Sequence, residues 1–337
     1  MQSSSPDPKP SSSMLPRITV VTPSFNQGQF LEETIRSVVE QDYPNLEYMV
    51  VDGGSTDNSL EIIRKYEKRL AYWTSGPDRG QADAINKGWK RATGEILAYI
   101  NSDDTFAPGA LRLVAEIFAR APALGLIYSR CRVIDERSAV IRERSVRSAS
   151  LAEILCWSPS IPQPTMFVRR AAVEAVGFLN ADLHYTMDYD LAIRVGLKYR
   201  MHFIPQVLAN MRDHPAAKTA IAPLKHVEEG IVVVHAFFAQ DLPAEIAALK
   251  NQTLAALLLR KARLHCRNGE TAPAKDLVRQ AWGLCRNATT LRKSVIVLLM
   301  CVLGKRGIAQ LRRFKRACLK FSTRLRPRRT PPASPAD

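Results

Sequence analysis

The apolar run Ile96-Leu-Ala-Tyr-Ile100 stops abruptly on Asn101-Ser-Asp-Asp104. Five consecutive apolar residues have the length of a buried strand. Two adjacent carboxylates at its end repel each other and lose solvation, so positive charge belongs beside them. Hard oxygen ligands favour Mg²⁺ or Mn²⁺. In an open α/β sheet the carboxyl ends of strands are where ligands bind. A competing reading makes Asp104 the N-cap of a helix with Pro108 in its first turn.

The stretch sits in an alternating pattern. Residues 17–22 and 46–51 are β-rich apolar runs, and residues 70–74 form a shorter one. Between them, residues 30–41 place Leu31, Ile35, Val38 and Val39 at helical spacing, and residues 59–69 do the same with Leu60, Ile63 and Tyr66. A third helix is expected over Gln81–Arg91. Strands alternating with helices predict an α/β fold, a mainly parallel sheet covered on both faces. Beyond Ile100 the pattern gives a helix at Ala110–Arg120, a strand at 125–133, a basic stretch to Arg147 and a further element beginning at 151–155. A strand at 163–169, a short helix at 171–176 closed by Gly177, a helix at 188–197 and a strand at 201–204 follow. From Pro223 onward only helical patterns remain.

Charge divides the 337-residue chain. The net +16 comes from 48 Lys and Arg against 32 Asp and Glu. Residues 253–337 carry 20 basic and 3 acidic residues, a balance of +17, which leaves −1 for residues 1–252. A nucleic-acid enzyme would carry its basic charge on the main domain, so nucleic acid is excluded as a partner. A cationic appendage suits an anionic membrane face. The six cysteines show no CxxC spacing and give no zinc or redox motif. Residues 1–15, rich in Ser and Pro, are expected to form a disordered leader, because they lack the apolar region of a signal peptide. The run 295–303 is too short to span a bilayer. A cytoplasmic protein, peripheral on the inner face of the cell membrane, is the expectation.

Asp52-Gly-Gly-Ser-Thr-Asp57 follows the second strand directly. Its glycines let backbone approach a ligand, and Asp52 could accept from a base or ribose. It could equally be a Gly-rich turn whose Ser55 or Asp57 caps the next helix; the dinucleotide fingerprint is missing. In Ser75-Gly-Pro-Asp-Arg-Gly-Gln-Ala-Asp83, Arg79 could meet a diphosphate at a helix start, and Asp83 could hold sugar hydroxyls or Arg79 itself. A solvated loop is the plain alternative.

These segments together with Val20-Val-Thr-Pro-Ser-Phe-Asn26, Asp83-Ala-Ile-Asn-Lys-Gly88, Gln163-Pro-Thr-Met-Phe, Met187-Asp-Tyr-Asp-Leu and Arg212-Asp-His-Pro resemble, in order and spacing, family 2 glycosyltransferases. The resemblance covers roughly residues 16–220. It implies the GT-A (nucleotide-diphospho-sugar transferase) fold, a doubly wound mixed sheet, and an inverting, metal-dependent transfer. Thr22, Pro23, Phe25, Asp52 and Gly53 would then hold the nucleotide, with Arg79, Asp83 and Asn101. Many members have Asp where Gly53 stands, which leaves the base open. UDP-sugar is the first expectation for the donor, and GDP- and dTDP-sugars are the alternatives. Asn101-Ser-Asp103 matches the family's D-x-D motif with Asn first. Asp103 becomes a metal ligand, Asp104 a direct or supporting one, and His214 a third ligand or a contact to the diphosphate. Arg212 and Lys218 could neutralise phosphate. Asp188 would be the catalytic base, with Asp190 and Gln163 in support; an N-cap is the plain alternative for Asp188.

The expected organisation is a leader at 1–15, a GT-A domain at 16–222, a basic all-helical appendage at 223–326 and a disordered tail at 327–337. In the appendage, residues 253–266 and 273–284 resemble a single tetratricopeptide-like hairpin, which cannot bury its face alone. Residues 291–326 pair an apolar segment with a cationic one, the pattern of interfacial membrane binding; a buried helix with a solvated basic tail is the alternative. The acceptor would be a glycan or lipid-linked hydroxyl. The rival readings are an inactive nucleotide-sugar-binding scaffold and a nucleotidyltransferase. Against the latter, residues 23–28 hold no Arg or Lys for a triphosphate.

Overall fold

The computed structural model describes residues 15–157, 161–304 and 307. The expected leader at residues 1–15 (Leu15 excepted), the tail and most of the cationic segment therefore lie outside the described residues. The elements form two compact units, residues 1–253 and 254–337.

The first unit runs β1 (Ile18–Ser24), α1 (Gly28–Val39), β2 (Leu46–Asp52), α2 (Ser59–Tyr66), β3 (Tyr72–Ser75), α3 (Gln81–Arg91) and β4 (Ile96–Tyr99). It continues with β5 (Thr105–Phe106), α4 (Ala110–Arg120), β6 (Leu124–Ile134), β7 (Val140–Glu143), α5 (Leu151–Leu155), β8 (Phe167–Arg169) and α6 (Arg170–Val176). Then come α7 (Met187–Lys198), β9 (Arg200–Arg212), α8 (Lys218–Ile221), α9 (Pro223–Phe237) and α10 (Ala244–Ala247). Among the described residues the sheet has nine strands in the order β3-β2-β1-β4-β8-β6-β9-β5, with β7 hanging off β6. β1 is parallel to both β2 and β4, and β2 to β3. β8 is antiparallel to β4 and β6, which makes the sheet mixed. The chain goes from β1 to β2 on one side and returns to β4 on the other. Such a reversal opens a crevice at the carboxyl ends of the strands.

The core explains why these residues form these elements. β1 and β4 are buried at every position, as expected of strands covered on both faces. Leu31, Ile35 and Val38 recur along one side of α1 and pack with Ile18, Val20, Val50 and Ile96.

Several boundaries differ from the sequence expectation. Asp104 is no N-cap: α4 begins after Gly109, which takes φ +76, and Asp104 precedes the two-residue strand β5. Asp188 is no N-cap either, since Thr186 holds that position and Asp188 lies in the first turn of α7. The segment Gln163–Thr165 is a 3₁₀ turn holding Pro164, and only Phe167–Arg169 is strand. β9 extends through Pro205 to Arg212. Its register against β6 jumps from the pair Ser129 and Ile204 to the pair Arg130 and Val207, a bulge that absorbs a residue with no N–H to donate.

The second unit contains α11 (Lys250–Asn268, which begins in the first unit), α12 (Thr271–Leu284) and α13 (288–304). Ala255, Leu259, Ala262 and Cys266 of α11 meet Ala274, Val278 and Ala281 of α12, with Val297 of α13. A third helix thus covers the face that a lone hairpin would leave open. α13 turns Thr290, Ser294 and Val297 inward and exposes Leu291, Val295, Leu298, Leu299 and Val302, the last 84% exposed.

The structural units part after Thr253, whereas the sequence expectation puts the boundary at 222. α9 belongs to the first unit because Gly230 lies so close to Trp157 that a Cβ there would come within 2.5 Å of the indole.

Candidate active site

The crevice is built from strand ends. After β4, the loop bearing Asp103 is met by the end of β9, and His214 Nε2 lies 3.0 Å from Asp103 Oδ2. His214 is buried and packs its ring 5.1 Å from Phe30. Asp103 keeps a partly open carboxylate. Asp104 turns the other way. It is 3% exposed; its Oδ1 accepts from the Arg212 N–H at 2.8 Å and its Oδ2 from Asn101 Nδ2 at 3.4 Å. Burial, and then the Asp103 charge, push its carboxyl well above the usual carboxylate range. Asp104 thus braces the loop that carries Asp103.

Arg212 is another correction. Its guanidinium donates to the backbone oxygens of Asp103 and Asp135, to Ser138 Oγ and to Glu33 Oε2, and lies 4.6 Å from the Phe30 ring centre. It is wholly buried and committed, so it reaches no phosphate. Lys218 differs: its ammonium is bonded to Gln81 Oε1 at 2.9 Å, and Gln81 Nε2 donates to Asn101 Oδ1 at 2.5 Å. Burial lowers its pKa, while Glu229, Asp103 and Asp78 pull it back up.

At the end of β2, Asp52 Oδ2 accepts from the N–H groups of Gly54 and Ser55 and from Ser75 Oγ, and Oδ1 accepts from Ser55 Oγ. The carboxylate shapes the Gly53–Ser55 loop. Thr22 is buried with its hydroxyl against Tyr48 Oη at 2.9 Å, and Pro23 is buried in the sheet. Both lie in the sheet at the carboxyl half of β1. Phe25 stands open at 60% exposure. A Cβ on Gly53 would meet Asp78 Oδ2 at 2.8 Å, so Asp78 fills the space beside it. Arg79 is exposed, and Asp83 accepts from its backbone N–H and pairs with its guanidinium at 3.4 Å and with Lys87 at 3.3 Å. A cavity of about 420 Å³ lined by Asp52, Thr74, Gly76, Pro77 and Lys87 adjoins this end of the crevice.

Asp188 lies in the first turn of α7, half-buried, its Oδ1 accepting from the Tyr189 N–H at 2.9 Å. Burial pushes its carboxyl up to about 6; the hydrogen bonds and the Arg144 charge lower it, and Glu229 raises it. Burial, and then the charges of Asp188 and Asp104, push the Tyr99 hydroxyl well above its ordinary range. Gln163 Nε2 donates to the Tyr99 backbone oxygen at 2.9 Å. Asp190 faces elsewhere, binding the Arg194 guanidinium at 2.7 and 2.9 Å. That guanidinium also donates to the oxygens of Val176, Gly177 and Phe178, so Asp190 secures the end of α6.

The sequence model described as Glycosyl transferase family 2 matches residues 19–177. The region belongs to family 2 glycosyltransferases. Curated relatives of this family 2 domain include an uncharacterized glycosyltransferase of Nostoc, 30% identical over 41% of this chain and 44% of its own length. Another is the poly-β-1,6-N-acetyl-D-glucosamine synthase of Staphylococcus epidermidis, 25% identical over 58% of this chain and 49% of the synthase. The chain thus spans about half the length of these two relatives. Solved structures share the fold. TarS 1–349 of S. aureus with UDP-GlcNAc gives a TM-score of 0.62 at 18% identity, covering 87% of this chain and 92% of TarS. The mannosyltransferase PcManGT of Pyrobaculum calidifontis with GDP-Man and Mn²⁺ gives 0.59 at 20%, covering 89% and 84%. The mixed sheet is therefore of GT-A type, and the family 2 domain marks a transferase enzyme.

Sequence reasoning missed Glu33, Gln81, Asn86 and Glu229. Asn86 clasps Leu179 through two bonds, at 2.8 and 3.1 Å. Asn86 and Gln81 fall inside the resemblance, but nothing in their spacing marks a partner. Glu33 and Glu229 look like ordinary solvated helix carboxylates.

Proposed function

We propose that the protein is a metal-dependent, inverting glycosyltransferase that moves a sugar from a nucleotide-sugar to a hydroxyl of a glycan or lipid-linked acceptor. The observation that carries this reading is the partly open Asp103 carboxylate held beside His214, together with Asp188 at the start of α7, its carboxyl near 6. Carboxylates in different surroundings can take different roles: Asp103 faces an imidazole, while Asp188 is half-buried at a helix start. Asp188 takes the proton of the acceptor hydroxyl as that oxygen attacks the anomeric carbon, and the leaving nucleoside diphosphate departs from the opposite face. Phe25 offers an open ring for a base to stack on, and Lys218 offers charge to the diphosphate. Family 2 membership, with the donors named for TarS and PcManGT, supports a nucleotide-sugar. UDP is the first expectation, with GDP and dTDP as alternatives. The S. epidermidis synthase supports polysaccharide assembly as the setting.

The donor set fits a divalent cation. Asp103 and His214 supply a hard oxygen and an imidazole nitrogen, and they would hold Mn²⁺ or Mg²⁺. Among the described residues no three His, Cys, Asp or Glu converge, so phosphate oxygens and water would complete the shell, as is usual for such ions. When bound, the cation supplies positive charge to the leaving diphosphate. A panel of UDP-, GDP- and dTDP-sugars, with and without Mn²⁺, tests the reading. Asp188→Asn should keep donor binding and lose transfer. Full transfer by that variant removes the base assignment.

A second reading concerns location. Among the described residues no helix is long and apolar enough to cross a membrane. The exposed apolar face of α13, in a segment of balance +17, supports docking on an anionic membrane surface.

A further inference from the structure

Four donors converge on one carboxylate beside the proposed base. Glu229 Oε1 accepts from the Tyr185 and Thr186 N–H groups, each at 2.7 Å, and from Thr186 Oγ1 at 2.9 Å, and Oε2 accepts from the His184 N–H at 2.8 Å. These residues are the last before α7, and Thr186 is its N-cap. A threonine in that position ordinarily bonds the helix's own first N–H groups. Here no such bond exists, because the hydroxyl is given to Glu229. A carboxylate at a helix N-terminus is also favoured by the helix dipole. Burial would raise the Glu229 pKa, but the four bonds outweigh it and hold the carboxyl below the usual range, so it stays ionised.

Glu229 is itself held firmly. It comes from α9, whose next residue, Gly230, packs directly on the Trp157 ring. Trp157 meets Tyr189, the neighbour of Asp188, edge-on at 5.1 Å, and Tyr189 Oη donates to the Leu155 oxygen at 2.8 Å. At the other end of the same loop, Asn86 of α3 clasps Leu179. The segment leading into the proposed base is thus tied at both ends, by Asn86 and by Glu229.

We infer that Glu229 is a positioning residue for the transfer: it fixes the entry to α7 and thereby the place of Asp188, and its charge faces that carboxylate. The inference rests on the proposed role of Asp188. The groups facing Asp188 are Arg144 from the segment after β7, Tyr99 from β4 and Glu229 from α9, and Lys218 faces Glu229 in turn. Removing the Glu229 charge takes away an influence that raises the Asp188 carboxyl. Ionised Asp188 then persists to lower pH.

The test is steady-state transfer by the full chain across pH, with a donor that the wild type turns over. Glu229→Gln should lower kcat roughly tenfold or more with donor KM within about twofold, as expected for lost orientation rather than lost binding. The acid limb of its kcat profile should move to lower pH. Thr186→Val removes one of the four bonds and leaves the charge; it should lower kcat less and leave the acid limb in place. Glu229→Asp should recover part of the rate. A folded Glu229→Gln with wild-type kcat and profile overturns the inference, and so does a rise in donor KM at unchanged kcat. If Glu229→Gln fails to fold, the Thr186→Val and Glu229→Asp pair decides: wild-type kcat in both overturns it. Asp188→Asn separates the two claims. If that variant transfers normally, the base reading fails; if it is dead while Glu229→Gln is normal, only the positioning role fails.

Discussion

His214 Nε2 and Asp103 Oδ2 lie 3.0 Å apart although 111 positions separate them in the chain. One arrives at the end of β9 and the other just after β4. Their meeting depends on Arg212, which bonds the loop of Asp103 from two residues before His214.

His214→Ala should therefore weaken the response to metal more than the fold. We expect the Mn²⁺ concentration for half-maximal turnover to rise roughly tenfold to a hundredfold, the usual cost of a lost ligand partner. A manganese titration of turnover, alongside a melting curve within a few degrees of wild type, checks this. An unchanged titration removes His214 from the metal set.

Arg212→Lys should be destabilising despite keeping the charge. A lysine cannot serve Asp103, Asp135, Ser138 and Glu33 at once, and the planar stack on Phe30 is lost. Glu33 is half-exposed, so the ion pair itself contributes little, but the buried backbone oxygens of Asp103 and Asp135 would lose their donor at about 1–3 kcal/mol each. Arg212→Ala should show a loss of that order in urea unfolding, and the lysine variant should fall between.

The pH dependence of transfer follows from Asp188. A base must be unprotonated, so kcat should fall as pH drops through about 6, the value of the Asp188 carboxyl. Stability runs the opposite way. The folded carboxyl binds its proton more tightly than the unfolded one, so between about pH 4 and 6 this group makes the protein more stable as pH falls. Asp188→Asn should accordingly raise Tm by roughly a few degrees at pH 7.5 while abolishing transfer. A Tm that is lower in the variant contradicts the burial argument.

Gly230→Ala adds one methyl where only 2.5 Å separates the site from the Trp157 ring. Overpacking of this kind costs about 1–3 kcal/mol. Because the ring is rigid, α9 must yield, and thermal unfolding should show the loss.

The outward face of α13 makes a separable prediction. Leu299→Asp with Val302→Asp should abolish sedimentation with anionic phospholipid vesicles while leaving donor hydrolysis intact. Equal sedimentation of variant and wild type would falsify the membrane reading.

Much of the fold was legible because strands buried on both faces leave continuous apolar runs, as at 96–100, and amphipathic helices leave spaced ones. α3 and α4 fall where the pattern puts them. β5, two residues long, is too short to leave a pattern, and β9 hides its length behind Pro205. The site was legible in its chemistry more than in its division of labour. Asp103 and Asp104 read alike in sequence, yet one faces the crevice and the other is sealed beneath it by Arg212. Glu229 could not be found at all, since its four partners are backbone groups and a hydroxyl gathered from a loop more than forty positions earlier.

The clasp on that loop joins distant parts of the chain. The match to the family 2 sequence model ends at Gly177, before α7, β9 and α9 begin. Glu229 reaches back from α9 to the loop that separates this stretch from Asp188. A change in α9 would therefore be felt at the start of α7 through the tie between Glu229 and Thr186, without any change in the loop's own residues.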